Sequence, residues 1–162
     1  MQPAPSIEFR LDDAEATARL GRALAGELRG GDTVLLRGQI GAGKSHLARS
    51  AILALLAEEG RVEDVPSPSF TLVQEYGTAR GTLLHADLYR LTDPRDLDDI
   101  GLTDALGRAI CLIEWPDLLD LGTLPRLDIA LALDEPGRRA RLTSIGGRWD
   151  EALARLAGER AA

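Results

Sequence analysis

The sequence predicts an α/β fold with a mostly parallel central sheet, flanking helices and antiparallel hairpins at the sheet edge. β-rich runs alternate with amphipathic helical segments along the first half of the chain. Residues 109–113 are apolar throughout, as is typical of a central strand buried on both faces. Two alternating runs near the C-terminus flank a Pro-Gly turn, which indicates a hairpin.

The first half of the chain is predicted to contain two strand–helix units. Residues 7–11 alternate like a short strand, and Asp12 or Asp13 can cap the helix that follows and ends before Gly30. Residues 33–37 form the second predicted strand. A glycine-rich loop then leads into a helix whose apolar residues lie on two adjacent lines, which predicts that this helix is buried.

The second half is predicted to be richer in strands. Its predicted strands are residues 70–76, 82–85, 109–113, 127–133 and 139–145. A turn at 77–81 joins the first two, and an acidic stretch at 93–104 reads as a loop with a short helical turn. Residues 149–156 form a short terminal helix.

Composition predicts one domain over residues 1–162, since the chain has 162 residues, 44% of them hydrophobic. The net charge of -7 disfavours independent binding to RNA or DNA. A single cysteine, Cys111, allows neither an internal disulfide nor a cysteine zinc site. No apolar run approaches the ~20 residues of a membrane span, and the first twenty residues include four acidic ones, so we expect a cytoplasmic protein.

The loop between the second strand and its helix carries a phosphate-binding pattern. It reads Gly38, Gln39, Ile40, Gly41, Ala42, Gly43, Lys44 and Ser45. Glycines let backbone N–H groups surround phosphate oxygens, and the helix N-terminus adds partial positive charge. Lys44, the only lysine of the chain, would reach the β and γ phosphates, and the Ser45 hydroxyl would bind Mg²⁺. The sequence therefore predicts a P-loop NTPase-like domain.

Two carboxylates follow predicted strands and are candidates for metal binding or for orienting water. Glu114 comes directly after residues 109–113, and Asp87 follows residues 82–86. The carboxyl ends of parallel strands are where α/β sheets bind ligands. Either carboxylate could instead begin an exposed loop.

A guanine-reading Asn-Lys-x-Asp box needs a second lysine, which the chain lacks, so ATP is favoured over GTP.

Other residues fit more than one interpretation. Trp115 could pack at the rim or line the site. Ser69 and Thr71 follow two prolines, so they belong either to a loop that senses the γ phosphate or to an ordinary turn. His46 and His85 lack companions at metal-ligand spacing and are expected to pack or hydrogen-bond locally.

Four sequence blocks resemble the TsaE (YjeE) family of bacterial ATPases of tRNA threonylcarbamoyladenosine biosynthesis. They are the loop at 38–45, the Ser-Pro-Ser-Phe-Thr-Leu-Val run with Glu-Tyr at 67–76, His-Ala-Asp-Leu-Tyr-Arg-Leu at 85–91, and Ile-Glu-Trp-Pro at 113–116. The P-loop is shared by many folds, whereas the last two blocks at this spacing are specific. The resemblance spans roughly residues 7–145.

The resemblance implies a Mg²⁺-dependent ATPase, slow by itself, that docks on the TsaB–TsaD heterodimer. It would support threonylcarbamoyl transfer to adenosine 37 of ANN-decoding tRNAs, with TsaD performing the transfer and tRNA reached only through the partners. Neither DNA nor a membrane is an expected partner.

The resemblance also implies roles for single residues. Lys44 and Ser45 would hold phosphate and metal, and Glu114 would be a Walker B-like acid. The remaining assignments are Asp87 as a further acid near the γ phosphate or metal, Thr71 in a switch-I-like loop, Trp115 beside the site, and His46 among the nucleotide-binding positions.

Two other functions stay open at this point. A small-molecule P-loop kinase would bind a second substrate near Asp87, with Arg138, Arg139 and Arg141 as a conceivable lid. The alternation of residues 139–145 favours a hairpin strand over a lid. A nucleotide-dependent binding module would dock in its ATP state and hydrolyse ATP only incidentally.

Overall fold

Seven strands and five helices make up the computed structural model, which describes residues 3–161. The strands are β1 Ser6–Leu11, β2 Thr33–Arg37, β3 Val73–Thr78, β4 Gly81–Asp87, β5 Ile110–Glu114, β6 Arg126–Asp134 and β7 Gly137–Ile145. The helices are α1 Ala14–Glu27, α2 Lys44–Ala57, α3 Asp96–Asp99, α4 Leu102–Ala105 and α5 Asp150–Ala161. A 3-10 turn covers Pro116–Leu118.

All seven strands join in one sheet, in the order β1-β7-β6-β2-β5-β4-β3. The four central strands, β6, β2, β5 and β4, are parallel. Antiparallel pairs extend the sheet on both sides, with β3 beside β4, and β7 and then β1 beside β6. The predicted fold class is therefore confirmed.

The sheet separates two apolar cores, and helices cover each of them. On one face, α1, α2 and α5 pack against the sheet through residues such as Leu24, Ile52 and Leu156. On the other face, a smaller core forms beneath α3, α4 and the segment after β5, with Leu35 and Ile113 from the sheet and Leu102 from α4. The central strands β2 and β5 are thus covered on both sides, as their continuous apolar sequences predict.

Several features differ from the sequence-based prediction. The strand predicted at 70–76 begins only at Val73, because residues 68–72 form a turn closed by a hydrogen bond from Leu72 N to Pro68 O. The acidic stretch 93–104 forms two short helices, α3 and α4, on either side of Gly101. The terminal helix is longer than predicted. The β6–β7 hairpin is not the outermost element, since β1 pairs with β7.

A buried ion pair ties the start of α5 to the loop before β2. The Arg148 guanidinium donates to both Asp32 carboxylate oxygens, at 2.9 and 2.8 Å, and also to the Glu27 carbonyl. Asp32 accepts a further hydrogen bond from the Arg29 backbone N–H. This pair orients the chain just before Trp149, whose side chain is fully buried.

The described residues include no helix that is both long and apolar enough to cross a membrane. The single cysteine, Cys111, is buried in β5, and burial raises its thiol pKa to about 12. Its thiol accordingly contributes to packing, as the sequence predicts.

Arg148→Ala should lower the free energy of unfolding by about 3 kcal/mol, because it leaves the buried Asp32 carboxylate without its charged partner. Urea unfolding followed by circular dichroism measures this change. Arg95→Ala is the control, since Arg95 pairs with Asp93 on the surface and its side chain is 90% exposed. Equal unfolding midpoints for the two variants would contradict the assignment.

Candidate functional site

A cleft of about 440 Å³ opens at the carboxyl edge of the parallel strands. Segments that follow β2, β4 and β5 meet there, together with the turn before β3. The residues that line it are Ile40, Gly41, Gly43, Lys44, Ser45, His46, Ser69, Asp87, Tyr89, Arg90, Glu114 and Trp115.

The glycine-rich loop between β2 and α2 forms one wall. Gly38 has a φ of +146°, and a Cβ at this position would collide with the Leu131 carbonyl oxygen, so only glycine fits. Gly43 precedes α2 with a φ of +107°, and no side chain within the described chain caps this helix. The first backbone N–H groups of a helix lack intrahelical acceptors, and an uncapped N-terminus is a site for anions.

Lys44 is folded over its own loop. Its Nζ donates to the carbonyl oxygens of Gly38 at 2.6 Å and Gln39 at 3.0 Å, and lies 4.1 Å from the centre of the Trp115 ring. Burial lowers the pKa of Lys44 below its ordinary value, whereas the negative charges of Glu114 and Asp87 act in the opposite direction. The ammonium group therefore lies between the loop carbonyls and the two acids.

Glu114 and Asp87 lie side by side because they end neighbouring parallel strands in register. Glu114 is 2% exposed, and its Oε1 accepts a hydrogen bond of 2.7 Å from the Ser45 hydroxyl. The Oε2 atom of Glu114 lies 2.7 Å from Nε2 of the buried His85. Asp87 accepts hydrogen bonds from the Tyr89 N–H at 3.0 Å and the Ser69 hydroxyl at 3.4 Å.

Aromatic side chains surround the mouth of the cleft. Trp115 adopts a left-handed backbone conformation with a φ of +54°, and its ring lies 4.8 Å from the Tyr89 ring, centre to centre. Phe70 lies outside the cleft lining and is 81% exposed, and the Arg90 guanidinium lies 4.3 Å from its ring centre. An apolar rim thus encloses a polar floor.

Most of the residues predicted from sequence converge here, and four lie outside the cleft lining: Gly38, Gln39, Ala42 and Thr71. Gln39 and Ala42 belong to the loop, but Gln39 is exposed and Ala42 faces the core. Thr71 is exposed, and its hydroxyl accepts a hydrogen bond from the Gln74 side chain. Ser69, on the same turn, is the hydroxyl that reaches Asp87.

The contact of His85 with Glu114 was not expected from the sequence, which predicted only packing or local hydrogen bonding for this histidine. His85 on β4 contacts Glu114 on the neighbouring strand β5. The other histidine, His46, has its Nε2 atom 2.9 Å from the Ala14 carbonyl oxygen. One signal was available: His85 is two residues before Asp87, so the two side chains share one face of β4. Tyr89 and Arg90 are further cleft residues that the sequence did not single out.

A second cleft of about 480 Å³ adjoins the loop on its other side. It lies between the loop, the β1–α1 turn and the β6–β7 turn, and Arg138 donates to the Gly41 carbonyl at 3.2 Å across it. Arg139 and Arg141 also lie on β7, where Arg139 pairs with Asp134 at 2.9 Å. These arginines are strand residues, as the alternation predicted.

Within residues 3–161, no three His, Cys, Asp or Glu side chains are arranged to hold a metal ion by themselves. The polar floor instead combines one hydroxyl, from Ser45, with the carboxylates of Glu114 and Asp87. Such a set matches Mg²⁺, which usually takes one or two protein carboxylates and completes its shell with waters and phosphate oxygens.

A parallel strand, a glycine-rich loop and a helix in this order, at the carboxyl edge of an α/β sheet, define a P-loop NTPase-like fold. The family model "Threonylcarbamoyl adenosine biosynthesis protein TsaE" matches residues 11–142. The chain belongs to the TsaE family, whose members act in tRNA threonylcarbamoyladenosine biosynthesis.

Individual relatives carry the same family name. The "tRNA threonylcarbamoyladenosine biosynthesis protein TsaE" of Rickettsia felis is 38% identical over 137 residues, covering 83% of this chain and 77% of its own length. The protein of that name from Bacillus subtilis is 29% identical and covers 89% of each chain. The crystal structure of Bacillus subtilis YdiB superposes with a TM-score of 0.75 at 26% identity, covering 98% of this chain and 99% of that one.

Ser45→Ala should lower the free energy of unfolding by about 1 kcal/mol, because it removes the hydrogen bond to a buried carboxylate oxygen. Ser50→Ala is the matched control on the same helix, since the Ser50 hydroxyl bonds only the His46 carbonyl of its own helix. Thermal and urea unfolding of both variants test this difference. A larger loss for Ser50→Ala would show that the Ser45–Glu114 contact adds nothing.

Proposed function

We propose that this chain is a Mg²⁺-dependent ATPase that docks on the TsaB–TsaD heterodimer and supports threonylcarbamoylation of adenosine 37 in ANN-decoding tRNAs. The observation that carries the ATPase part is the convergence of Lys44, Ser45, Glu114 and Asp87 in one cleft beside an uncapped helix N-terminus. Membership of the TsaE family supports the tRNA-modification part.

The loop supplies the phosphate-binding groups. Backbone N–H groups at the start of α2 would bind the phosphate oxygens, and the helix dipole would favour their negative charge. Lys44 would exchange its bonds to Gly38 O and Gln39 O for the β and γ phosphates, which carry more charge than backbone carbonyls. This exchange is one reason to expect selectivity for nucleoside triphosphates and diphosphates.

Ser45, Glu114 and Asp87 would hold Mg²⁺ together with the phosphates. A bound magnesium ion would neutralise part of the charge that develops on the phosphoryl oxygens. Glu114 is the stronger candidate for orienting the attacking water, because it lies closest to Ser45, and Asp87 is the candidate for the γ phosphate side, where Ser69 also lies.

Thr71 has the predicted switch role only if the turn that contains it moves. Ser69 already lies in the cleft, whereas Thr71 is exposed on the same turn. We propose that the segment 67–72 follows the γ phosphate, with Ser69 contacting the site directly and Thr71 entering upon closure. Such loop closure is the usual way in which nucleotide state is passed to a partner.

The second cleft is suited to the nucleoside half of ATP. It adjoins the loop at Gly41 and Gly43, and its wall includes Thr17 and Arg138 as polar groups. His46 borders both clefts, which fits its expected place among the nucleotide-binding positions. Trp115 would cover the phosphate side of the site.

The charge of the chain supports an indirect encounter with tRNA. A net charge of -7 opposes binding to a polyanion, so tRNA would be reached through TsaB and TsaD. We place this activity in the cytoplasm. A small-molecule kinase is less well supported, because Arg138, Arg139 and Arg141 belong to β7 and form no separate lid.

Lys44→Ala should abolish ATP binding, and Glu114→Gln should lower kcat by at least ~100-fold while changing ATP affinity little. Calorimetry gives affinity, and phosphate release gives turnover. Glu151→Gln is the control carboxylate, exposed on α5. Full turnover in Glu114→Gln would transfer the water-orienting role to Asp87. ADP formed without inorganic phosphate would favour the kinase.

Purified TsaB and TsaD with an ANN-decoding tRNA should raise ATP turnover by this chain, and modification should continue over many rounds. Glu114→Gln should stop modification after at most one round, because nucleotide would stay bound. The binding-module alternative predicts unchanged multiple rounds in this variant. The measurement is modified adenosine per TsaD molecule against time, with Lys44→Ala as the blank.

A further inference from the structure

Both carboxylate oxygens of Glu114 are engaged, by residues from two different elements. The Ser45 hydroxyl on α2 donates to Oε1, and His85 on β4 lies against Oε2, each at 2.7 Å. Under the proposed function Ser45 turns its hydroxyl to magnesium, which releases Oε1. The contact with His85 is then the remaining hydrogen bond on the carboxylate.

The contact with Glu114 places a proton on Nε2 of His85. The ring is 1% exposed, and its Nδ1 is buried without a hydrogen-bond partner in the part of the chain that the structure describes. A carboxylate oxygen can only accept, so the proton that joins the two groups lies on Nε2 of the ring.

We infer that His85 is a positioning residue for Glu114. It donates Nε2–H to Oε2 and so keeps Oε1 directed into the cleft after Ser45 has left it. This inference rests on the proposed function and deepens it. The residue acts through Glu114 and does not itself touch the nucleotide.

The position of His85 in the sheet explains why it can do this. It pairs with Leu112 of β5 and Gln74 of β3, so it is held between two strands. Leu112 is two residues before Glu114 on the same face of β5, which places the ring beneath the carboxylate. Because the strands on both sides restrict the ring, the ring in turn restricts the orientation of the Glu114 carboxylate. Outer-shell hydrogen-bond partners orient metal ligands in the same way.

Nuclear magnetic resonance tests the protonation form without turnover. The chain has two histidines, so nitrogen-15 spectra of the wild type and of His85→Gln assign both rings. We expect the Nε2-protonated form for His85 and a strongly downfield proton on the hydrogen bond to Glu114. A ring without a proton on Nε2 would overturn the inference, because Glu114 would then have to donate.

Kinetics test the positioning role. His85→Phe keeps an aromatic ring of similar size and loses the donor, and we expect kcat to fall ~10–100-fold. KM and the affinity for a non-hydrolysable ATP analogue in Mg²⁺ should change less than about threefold. His85→Gln keeps an N–H near the Nε2 position and should recover most of kcat. Equal losses in both variants would indicate packing alone and overturn the inference.

A double-mutant cycle shows whether His85 acts through Glu114. In a Glu114→Gln background, His85→Phe should lower kcat less than twofold further. A loss as large as in the wild type would mean an independent role. Leu84→Ala is the stability control, because Leu84 is buried on the opposite face of β4. Turnover unaffected by Glu114→Gln would overturn the inference, because the water-orienting role would then lie with Asp87. Absent wild-type turnover would instead contradict the proposed function.

Discussion

A buried carboxylate at the end of β5 sets the constraint that the rest of the site satisfies. Removing a charged carboxylate from water costs several kcal/mol unless hydrogen bonds and opposite charge compensate. Glu114 receives this compensation from Ser45 on α2, from His85 on β4 and from the nearby Lys44 ammonium. The helix α2 and the strand β4 must therefore hold fixed positions around one side chain of β5, and the parallel pairing of β2, β5 and β4 provides them.

Sequence patterns predicted the parts of this site whose structure is set by residues close together in the sequence. The glycine spacing of 38–45, the apolar run before Glu114 and the alternation of β6 and β7 each specify a local structure, and each was confirmed. The convergence of Asp87 and Glu114 also followed, because carboxyl ends of parallel strands share one edge. Their roles in binding and catalysis stay predictions.

The features that the sequence did not predict depend on register and on unusual backbone conformations. The His85–Glu114 contact requires β4 and β5 to pair in one register, which no local pattern specifies. Leu72 adopts a left-handed conformation, with a φ of +70°, at the point where a strand was expected. This turn directs Ser69 toward Asp87 and leaves Thr71 outside, so two hydroxyls that look equivalent in sequence occupy different surroundings.

The two tryptophans occupy opposite environments, and this gives the chain two separate optical signals. Trp149 is fully buried in the larger apolar core, whereas Trp115 borders the cleft beside Lys44 and Tyr89. Fluorescence from Trp149 reports whether the core is packed. Emission from Trp115 reports on the charges and groups next to its ring, including the position of the lysine ammonium. Replacing either tryptophan by phenylalanine would separate folding from occupancy of the cleft in one unlabelled protein.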